Sequence, residues 1–285
     1  MGLTAILFPG QGSQSPGMRE TVQRARPELL ELVEEAVGED PFPRVGEGTQ
    51  YAQPAIFCAS LAGWAELGEP DGDLMAGHSL GELGALVAAG CLQERDGLWL
   101  VALRGRLMQR AGELAASEGE DGPAGGMLAL LGAGATDRAQ AIAAEHGLAV
   151  ANDNCPTQVV LSGRRAVLPA AAASARELGL RPMEVPVSGA FHSPMMEAAV
   201  PEFAAALEQV EFSPGRVPVL SAVTAQPFDD FRRLLAEALT MPVRWRETML
   251  ELHRMGAERF VEVGPGRVLT GLAKRTVSAV ELIHA

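Results

Sequence analysis

The stretch Ala76 to Glu82, AGHSLGE, sets one serine, Ser79, between Gly77 and Gly81 at the end of the apolar run Leu74-Met75-Ala76. A strand that turns sharply into a helix leaves such a serine at a strained apex, and glycine two residues to either side lets the neighbouring backbone pass without a Cβ clash. The hydroxyl is then exposed, with a helix N-terminus behind it. The five-residue pattern alone fits a nucleophile elbow and a plain strand-to-helix turn alike, so the rest of the chain must decide.

Upstream, Leu3 to Phe8 is an apolar run with Thr4 its only polar member, and it suits a buried strand feeding the glycine-rich loop Gly10 to Gln14. Helical patterns fall at Pro27 to Val37 and Pro54 to Leu67, with Gln53-Pro54 read as a helix start. The elbow strand follows at Asp73 to Gly77, then helices at Leu80 to Ala89 and Glu94 to Ala111. This alternation predicts an α/β fold with a largely parallel sheet.

Ala116 to Gly126, ASEGEDGPAGG, reads as a polar linker between subdomains. After it come strand Met127 to Leu131, helix Thr136 to Glu145, strands Leu148 to Asn152 and Gln158 to Ser162, helix Arg165 to Leu178 and strand Arg181 to Pro186. That order is βαββαβ, the split unit of ferredoxin-like domains, with Asn152 to Thr157 as the loop between its middle strands. From about Val187 the chain returns to the first domain. A strand near Val217 to Val223, helices near Phe228 to Leu239 and Arg246 to Met255, and a strand at Arg259 to Val263 precede Gly264-Pro265-Gly266, which opens a last helix. The expected division is a discontinuous large domain, 1–122 with 188–285, around an inserted small domain, 123–187.

Composition narrows the function classes. With 285 residues, 47% hydrophobic and 21% charged, the chain reads as soluble and globular, with no run long enough to span a bilayer. Met1 to Pro9 has no basic lead-in or cleavage site and reads as a strand rather than a signal peptide, which points to the cytoplasm. Cys58, Cys91 and Cys155 are odd in number with no metal-like spacing and read as inert thiols, Cys155 having no context to lower its pKa. A net charge of -13 with no basic face argues against nucleic acid.

A nucleophilic serine needs a base, an oxyanion site and a group that selects the acyl chain. Among the five histidines, His146, His253 and His284 have surface or structural contexts, and His78, beside Ser79, leaves the elbow in another direction and suits a supporting role. His192 lies in SGAFHSP, a loop whose glycine, serine and proline fix an irregular backbone, and it is the candidate base. Arg104, 25 residues after Ser79, offers planar paired donors that could grip a carboxylate; on sequence alone it reads better as a surface residue of a long helix, like Arg106 and Arg110. Glu82 suits the first turn after the elbow, where the helix dipole favours an acid.

The motifs FPGQGSQ (Phe8 to Gln14), GHSLGE (Gly77 to Glu82), LRGRLMQ (Leu103 to Gln109), GAFHSP (Gly189 to Pro194), PVRW (Pro242 to Trp245) and EVGPGRVLTGL (Glu262 to Leu272), in this order, resemble the malonyl-CoA:acyl carrier protein transacylases. The resemblance spans essentially the whole chain. It implies an α/β-hydrolase-like large domain with a ferredoxin-like insertion, Ser79 as the acylated nucleophile, and His192 as the base. It further implies an oxyanion hole made by the backbone N–H groups of Gln11 and Leu80, worth roughly 3 kcal/mol per donor. Arg104 would clamp the malonyl carboxylate. Phe191, after Ala190, resembles the malonyl-selective type, since its ring would crowd a substituent on the α-carbon.

Some relatives have glutamine where PVRW has Arg244, and the resemblance implies that the main-chain carbonyl there orients the histidine; the Arg244 side chain could meet a phosphate or point at solvent. Asn154, within Asn152 to Cys155, could line the cleft or belong to a turn. The implied partners are malonyl-CoA and an acyl carrier protein, with no metal or redox cofactor, no nucleic acid and no membrane. Carrier proteins of this kind are acidic, so an acidic enzyme needs a local basic patch, for which Arg164-Arg165, Arg244-Arg246 and Lys274-Arg275 are candidates. Two rivals remain: an acyl hydrolase acting on carrier proteins, and a non-catalytic carrier-protein-binding module.

Overall fold

Leu3–Phe8 forms β1, and its alternation sends Ile6 and Phe8 to one face and Ala5 and Leu7 to the other, all four fully buried. A strand covered on both faces needs helices on both, which helical crossovers between parallel neighbours supply. The structure, a computed structural model, describes residues 2–70, 72–116, 124–187 and 189–284.

After β1 come α1 (Met18–Ala25), α2 (Glu28–Val37), α3 (Thr49–Glu66), β2 (Leu74–Gly77), α4 (Gly81–Ala88) and α5 (Glu94–Ala116). The middle of the chain forms β3 (Gly125–Leu131), α6 (Ala135–His146), β4 (Ala149–Cys155), β5 (Gln158–Arg164), α7 (Leu168–Glu177) and β6 (Arg181–Val185). The remainder forms α8 (Val200–Leu207), β7 (Val219–Ser221), β8 (Gln226–Pro227), α9 (Phe231–Glu237), α10 (Trp245–Arg254), β9 (Ala257–Glu262), α11 (Val268–Thr276) and β10 (Glu281–His284).

Two sheets result. The first runs β10-β9-β1-β2-β7-β8, parallel except for the hairpin partner β8. The second runs β4-β5-β3-β6 and is antiparallel throughout. The fold is mixed α/β. Around the first sheet, Ile6 and Phe8 pack with α3, α4 and α5, while Ala5, Leu7 and Ala76 pack with Trp245, Met249, Leu269 and Leu272 of α10 and α11. In the second, Leu128, Leu130, Val159 and Leu161 face α6 and α7, whereas Met127, Ala129 and Val160 join the main core. Among the described residues no helix is long and apolar enough to cross a membrane.

Several elements depart from the sequence reading. Helix α3 begins at Thr49, so Pro54 lies inside it rather than at its start. The reason is tertiary: the Thr49 N–H, an orphan donor of the first turn, is satisfied by Gln109 Oε1 of α5 at 3.2 Å. β4 continues through Asn152, Asp153 and Asn154 to Cys155, where the sequence reads as a loop. Register shifts at Val150/Asn152 and Asp153/Cys155 absorb these polar residues as bulges. Gly125 and Gly126 belong to β3, and residues 117–123 of the expected linker lie outside the described residues. The helices α1 and α8 and the strands β8 and β10 have no counterpart in the sequence reading.

β4 is joined to the segment that precedes α10. Asn152 bridges to Val243, whose N–H donates to the Ala151 carbonyl at 2.8 Å and whose carbonyl accepts from the Asp153 N–H at 2.9 Å. Arg246 of α10 clasps Asp153 with Nη2 at 2.7 Å and Nε at 2.9 Å from Oδ2.

At the elbow, Ser79 has φ 55°, in the left-handed region that costs a non-glycine residue about 1–2 kcal/mol. Its two glycines are there for contact rather than flexibility. A Cβ on Gly81 would lie 2.1 Å from the Phe8 carbonyl oxygen, and one on Gly77 would lie 1.9 Å from the Gly81 carbonyl carbon. Both clashes are with backbone, which cannot yield cheaply. Gly77→Ala is therefore expected to lower stability by about 2–3 kcal/mol in urea unfolding; a loss below ~0.5 kcal/mol would refute the packed elbow.

Candidate active site

β2 delivers Ser79 to the C-terminal edge of the first sheet, beside the loop that follows β1, where the His78 N–H donates to the Phe8 carbonyl at 2.9 Å. Ser79 Oγ lies 2.9 Å from His192 Nε2. His192 Nδ1 lies 2.8 Å from the Ala238 carbonyl oxygen, so the network assigns the ring proton to Nδ1 and leaves Nε2 to accept from the serine. His192 itself has φ 56°, and its loop is locked by Ser193, whose Oγ donates to the Ala190 carbonyl at 2.6 Å. Both reacting side chains therefore sit on strained backbone that the surroundings over-determine.

The carbonyl that holds His192 belongs to Ala238. The expectation that Arg244 supplies it fails, because the Arg244 carbonyl is taken by the Thr248 N–H at 2.9 Å and the Thr248 hydroxyl at 3.0 Å in the first turn of α10. The Arg244 side chain is half-buried and engaged by protein partners. It pairs with Glu247 and donates to the carbonyls of Val223 and Thr224.

Arg104 of α5 is only 3% exposed, which settles its reading against a surface arginine. Its Nη2 donates to Ser79 Oγ at 3.1 Å and its Nη1 to Gln53 Oε1 at 2.8 Å. Gln53 is held by the Thr49 hydroxyl, at 2.8 Å from Gln53 Nε2, and that hydroxyl donates to Gln11 Oε1 at 2.8 Å. Among the described residues Arg104 forms no ion pair. Burial pulls its pKa down to about 10, with the charge of Glu82 acting the other way, so it stays a cation at neutral pH. Arg106 and Arg110 lie outside the site as expected, Arg106 donating to the Ala36 carbonyl and Arg110 pairing with Glu202.

The cavity above Ser79 has a volume of about 360 Å³. Gln11, Leu80, Phe191 and Asn154 all line it, opposite Met127, Ala129 and Val160 of the second sheet and beside Leu269 and Leu272 of α11. Among the described residues neither the Gln11 nor the Leu80 backbone N–H donates to a protein acceptor, which leaves both available to an oxyanion. Asn154 is a strand residue rather than a turn residue, and its Oδ1 lies 2.8 Å from His78 Nε2. All three cysteines are buried, and burial pushes the Cys58 and Cys91 thiols up. Among the described residues no group of His, Cys, Asp and Glu could hold a metal ion.

Glu82 lies in the first turn of α4, as the sequence reading has it, and does more there than meet the helix dipole. It is buried, and it accepts from the Ala222 N–H at 2.8 Å and the Ser221 hydroxyl at 3.1 Å, tying α4 to the end of β7. Sequence reading also passed over Gln53 and Thr49. The available signal was a pair of uncharged polar residues, four apart, opening a helix that is otherwise nearly all apolar.

The profile of the acyl transferase domain family matches residues 6–284. The chain belongs to the acyl transferase family. It is 39% identical to the malonyl CoA-acyl carrier protein transacylase of Synechocystis sp., over 98% of this chain and 95% of that one. It is 37% identical to the polyketide biosynthesis protein ThaF of Burkholderia thailandensis over 96% of this chain, which spans only 24% of that larger protein. Among solved structures, a malonyl-transacylase in complex with its type II polyketide-synthase acyl-carrier protein superposes with a TM-score of 0.87 at 32% identity, covering 99% of this acyl transferase and 96% of that chain.

Two predictions concern the titrating groups of this acyl transferase. Burial first, then the charges of Arg104 and His78, pulls the His192 pKa down to about 3, against the carbonyls of Ala238 and Met241. A base with so low a pKa stays neutral through the ordinary imidazole range. Acylation of Ser79 is expected to hold its rate from about pH 8 to about pH 5 in rapid-quench measurements; a half-fall near 6.5 would contradict this. The same depression favours the fold above the unfolded-state value of 6.5, and that contribution is lost as pH falls toward about 3.

Glu82 goes the other way, raised by burial to about 7. A raised carboxyl favours the fold below its unfolded pKa of 4.5 and loses that advantage as pH rises through about 7. Glu82→Gln should therefore match wild type in urea unfolding at about pH 5 and exceed it at about pH 8, whereas Glu82→Ala, which strands the Ala222 N–H and the Ser221 hydroxyl, should lose about 2–3 kcal/mol. Equal effects of the two substitutions at both pH values would refute the role.

Proposed function

We propose that this acyl transferase moves a malonyl group from malonyl-CoA to the phosphopantetheine thiol of an acyl carrier protein, in fatty acid or polyketide synthesis. The observation that carries the reading is Arg104: a buried guanidinium with no carboxylate partner, 3.1 Å from the nucleophilic oxygen. Malonyl thioesters end in a carboxylate, and an arginine so placed has the charge and planar donor pair to take it.

In the first half-reaction Ser79 gives its proton to His192 Nε2 as Oγ attacks the thioester carbonyl. The developing oxyanion meets the N–H groups of Gln11 and Leu80, the C–S bond breaks, and the coenzyme A sulfur takes the proton back from His192. The second half-reaction reverses this with the carrier-protein thiol as attacker, restoring the Ser79 hydroxyl. The substrate carboxylate has a further effect: by offsetting the Arg104 charge it removes one cause of the low His192 pKa and makes the base stronger when the right substrate is bound. Phe191, at the cavity wall, limits substituents on the α-carbon. No metal or redox cofactor enters this chemistry, and a cytoplasmic location suits both substrates.

We read the architecture as an α/β-hydrolase-like large domain, 1–122 with 188–285, carrying a ferredoxin-like insertion at 123–187. The antiparallel order β4-β5-β3-β6 with α6 and α7 on one face supports the second part, and the parallel sheet with its elbow after β2 supports the first. Against an acyl hydrolase stands Arg104, of little use to an uncharged acyl chain. The 2.9 Å contact of Ser79 with His192 weighs against a non-catalytic module.

Intact-protein mass spectrometry after brief incubation with malonyl-CoA, acetyl-CoA or methylmalonyl-CoA tests the reading. A malonyl adduct is expected on wild type and none on Ser79→Ala, while Arg104→Ala should lose about 100-fold or more in malonyl acylation rate and its preference over acetyl. Acetyl loading equal to or stronger than malonyl loading in wild type would sink the carboxylate-clamp reading and favour the hydrolase.

A further inference from the structure

We infer that Thr49 is a positioning residue for the oxyanion hole, holding the Gln11 loop so that its backbone N–H meets the charge that forms on the thioester oxygen; the inference rests on the acyl-transfer reading above. The two donors of that hole are held differently. Leu80 follows the packed elbow and leads into α4. Gln11 sits between two glycines in the turn Gly10 to Ser13, closed by the Ser13 N–H on the Gly10 carbonyl at 3.3 Å. Gly12 has φ 106° and a Cβ there would touch nothing, so no packing steadies the tip of the turn. The direction of the Gln11 peptide must be fixed from outside it.

The Gln11 side chain supplies the tether. Among the described residues its one hydrogen bond is at Oε1, which accepts from the Thr49 hydroxyl at 2.8 Å. Thr49 is a firm anchor: it is buried, it opens the 18-residue helix α3, and its own N–H is held by Gln109 of α5. Arg104 sets the direction of every bond in the chain. A guanidinium only donates, so Gln53 must turn Oε1 to Arg104 Nη1 and Nε2 to the Thr49 oxygen, and the hydroxyl then gives its single proton to Gln11. The charge of Arg104 thereby orders a loop to which its own bonds, made to Gln53 and Ser79, do not extend.

Removing the Thr49 hydroxyl does unequal damage at its two ends. Gln53 Nε2 keeps a second acceptor, Met108 Sδ at 3.4 Å, and Gln53 Oε1 keeps Arg104, so the carboxylate clamp survives. Gln11 loses its one tether. The loss falls on the oxyanion, which forms in both half-reactions and with any acyl group, rather than on recognition of the malonyl carboxylate.

The test measures rapid-quench acylation by malonyl-CoA and by acetyl-CoA, and deacylation by free pantetheine, for wild type, Thr49→Val, Thr49→Ser, Gln11→Ala and the pair Thr49→Val/Gln11→Ala. Thr49→Val keeps the shape and deletes the hydroxyl, Thr49→Ser keeps the hydroxyl, and Gln11→Ala keeps the backbone N–H while cutting the same tether from its other end. The expected result for Thr49→Val is a fall of about 10- to 100-fold in the saturating rate constants of all three steps, with the half-saturating malonyl-CoA concentration unchanged. Thr49→Ser should restore most of the rate, Gln11→Ala should match Thr49→Val, and the pair should be no slower than either alone.

Wild-type rates in Thr49→Val and Gln11→Ala overturn the proposal. So does slowing confined to malonyl-CoA, which would assign Thr49 to the clamp, or a raised half-saturating concentration with unchanged rate constants, which would assign it to binding. A pair whose defects multiply overturns it too, because the two residues would then act separately. A wild type that forms no malonyl ester overturns the acyl-transfer reading itself, and is told apart from these by its failure in the first measurement.

Discussion

A guanidinium taken out of water with no carboxylate to meet it is costly, and the architecture around Ser79 is arranged to hold one there. Arg104 hangs from α5, and the interior answers its charge with neutral acceptors, Gln53 Oε1 and Ser79 Oγ. A relay through Thr49 to Gln11 then reaches the loop after β1. Removing Gln53 or the Ser79 hydroxyl leaves a buried cation short of a hydrogen bond, which is costly. The same charge depresses the neighbouring imidazole, so Ser79, His192 and Arg104 are coupled through hydrogen bonds and charge.

Rigid backbone supplies the remainder of the precision. Ser79 and His192 sit in left-handed conformations that a free chain would abandon. The first is held by the close approach of Gly77, Gly81 and Phe8, the second by Ser193 and the Ala238 carbonyl. Glu82 connects the two regions indirectly: it grips the Ala222 N–H, and the Ala222 carbonyl accepts from the Arg244 N–H at 2.7 Å, at the end of the segment that carries Ala238.

What could be read in the sequence was whatever announces itself locally. The elbow glycines, the apolar run of β1 and the βαββαβ order all depend on neighbours a few residues away, and they appear where expected. Motif order led to Ser79, His192, Arg104, Gln11, Leu80, Phe191 and Asn154, all of which line one cavity. What stayed hidden depends on remote partners. The start of α3 is set by Gln109, the strand character of Asn152 to Cys155 by Val243, the burial of Glu82 by the end of β7, and the histidine's acceptor by a backbone carbonyl whose side chain is an uninformative alanine. Arg244 misleads for the same reason, since its side chain and carbonyl are both engaged by partners within α10 and the loop after β7.

The bridge between β4 and Val243 has a consequence outside catalysis. A four-stranded antiparallel sheet has two open margins, each a template on which a second chain could lay a strand. At one margin, Val243 takes the Ala151 carbonyl and the Asp153 N–H of β4, with Arg246 closed over Asp153. At the other, β6 places Pro182 beside the charged residues Arg181 and Glu184, and a proline cannot donate to an added strand. The contact that ties β4 to the segment before α10 therefore also helps keep the sheet from pairing with copies of itself, so loosening it would be felt as aggregation.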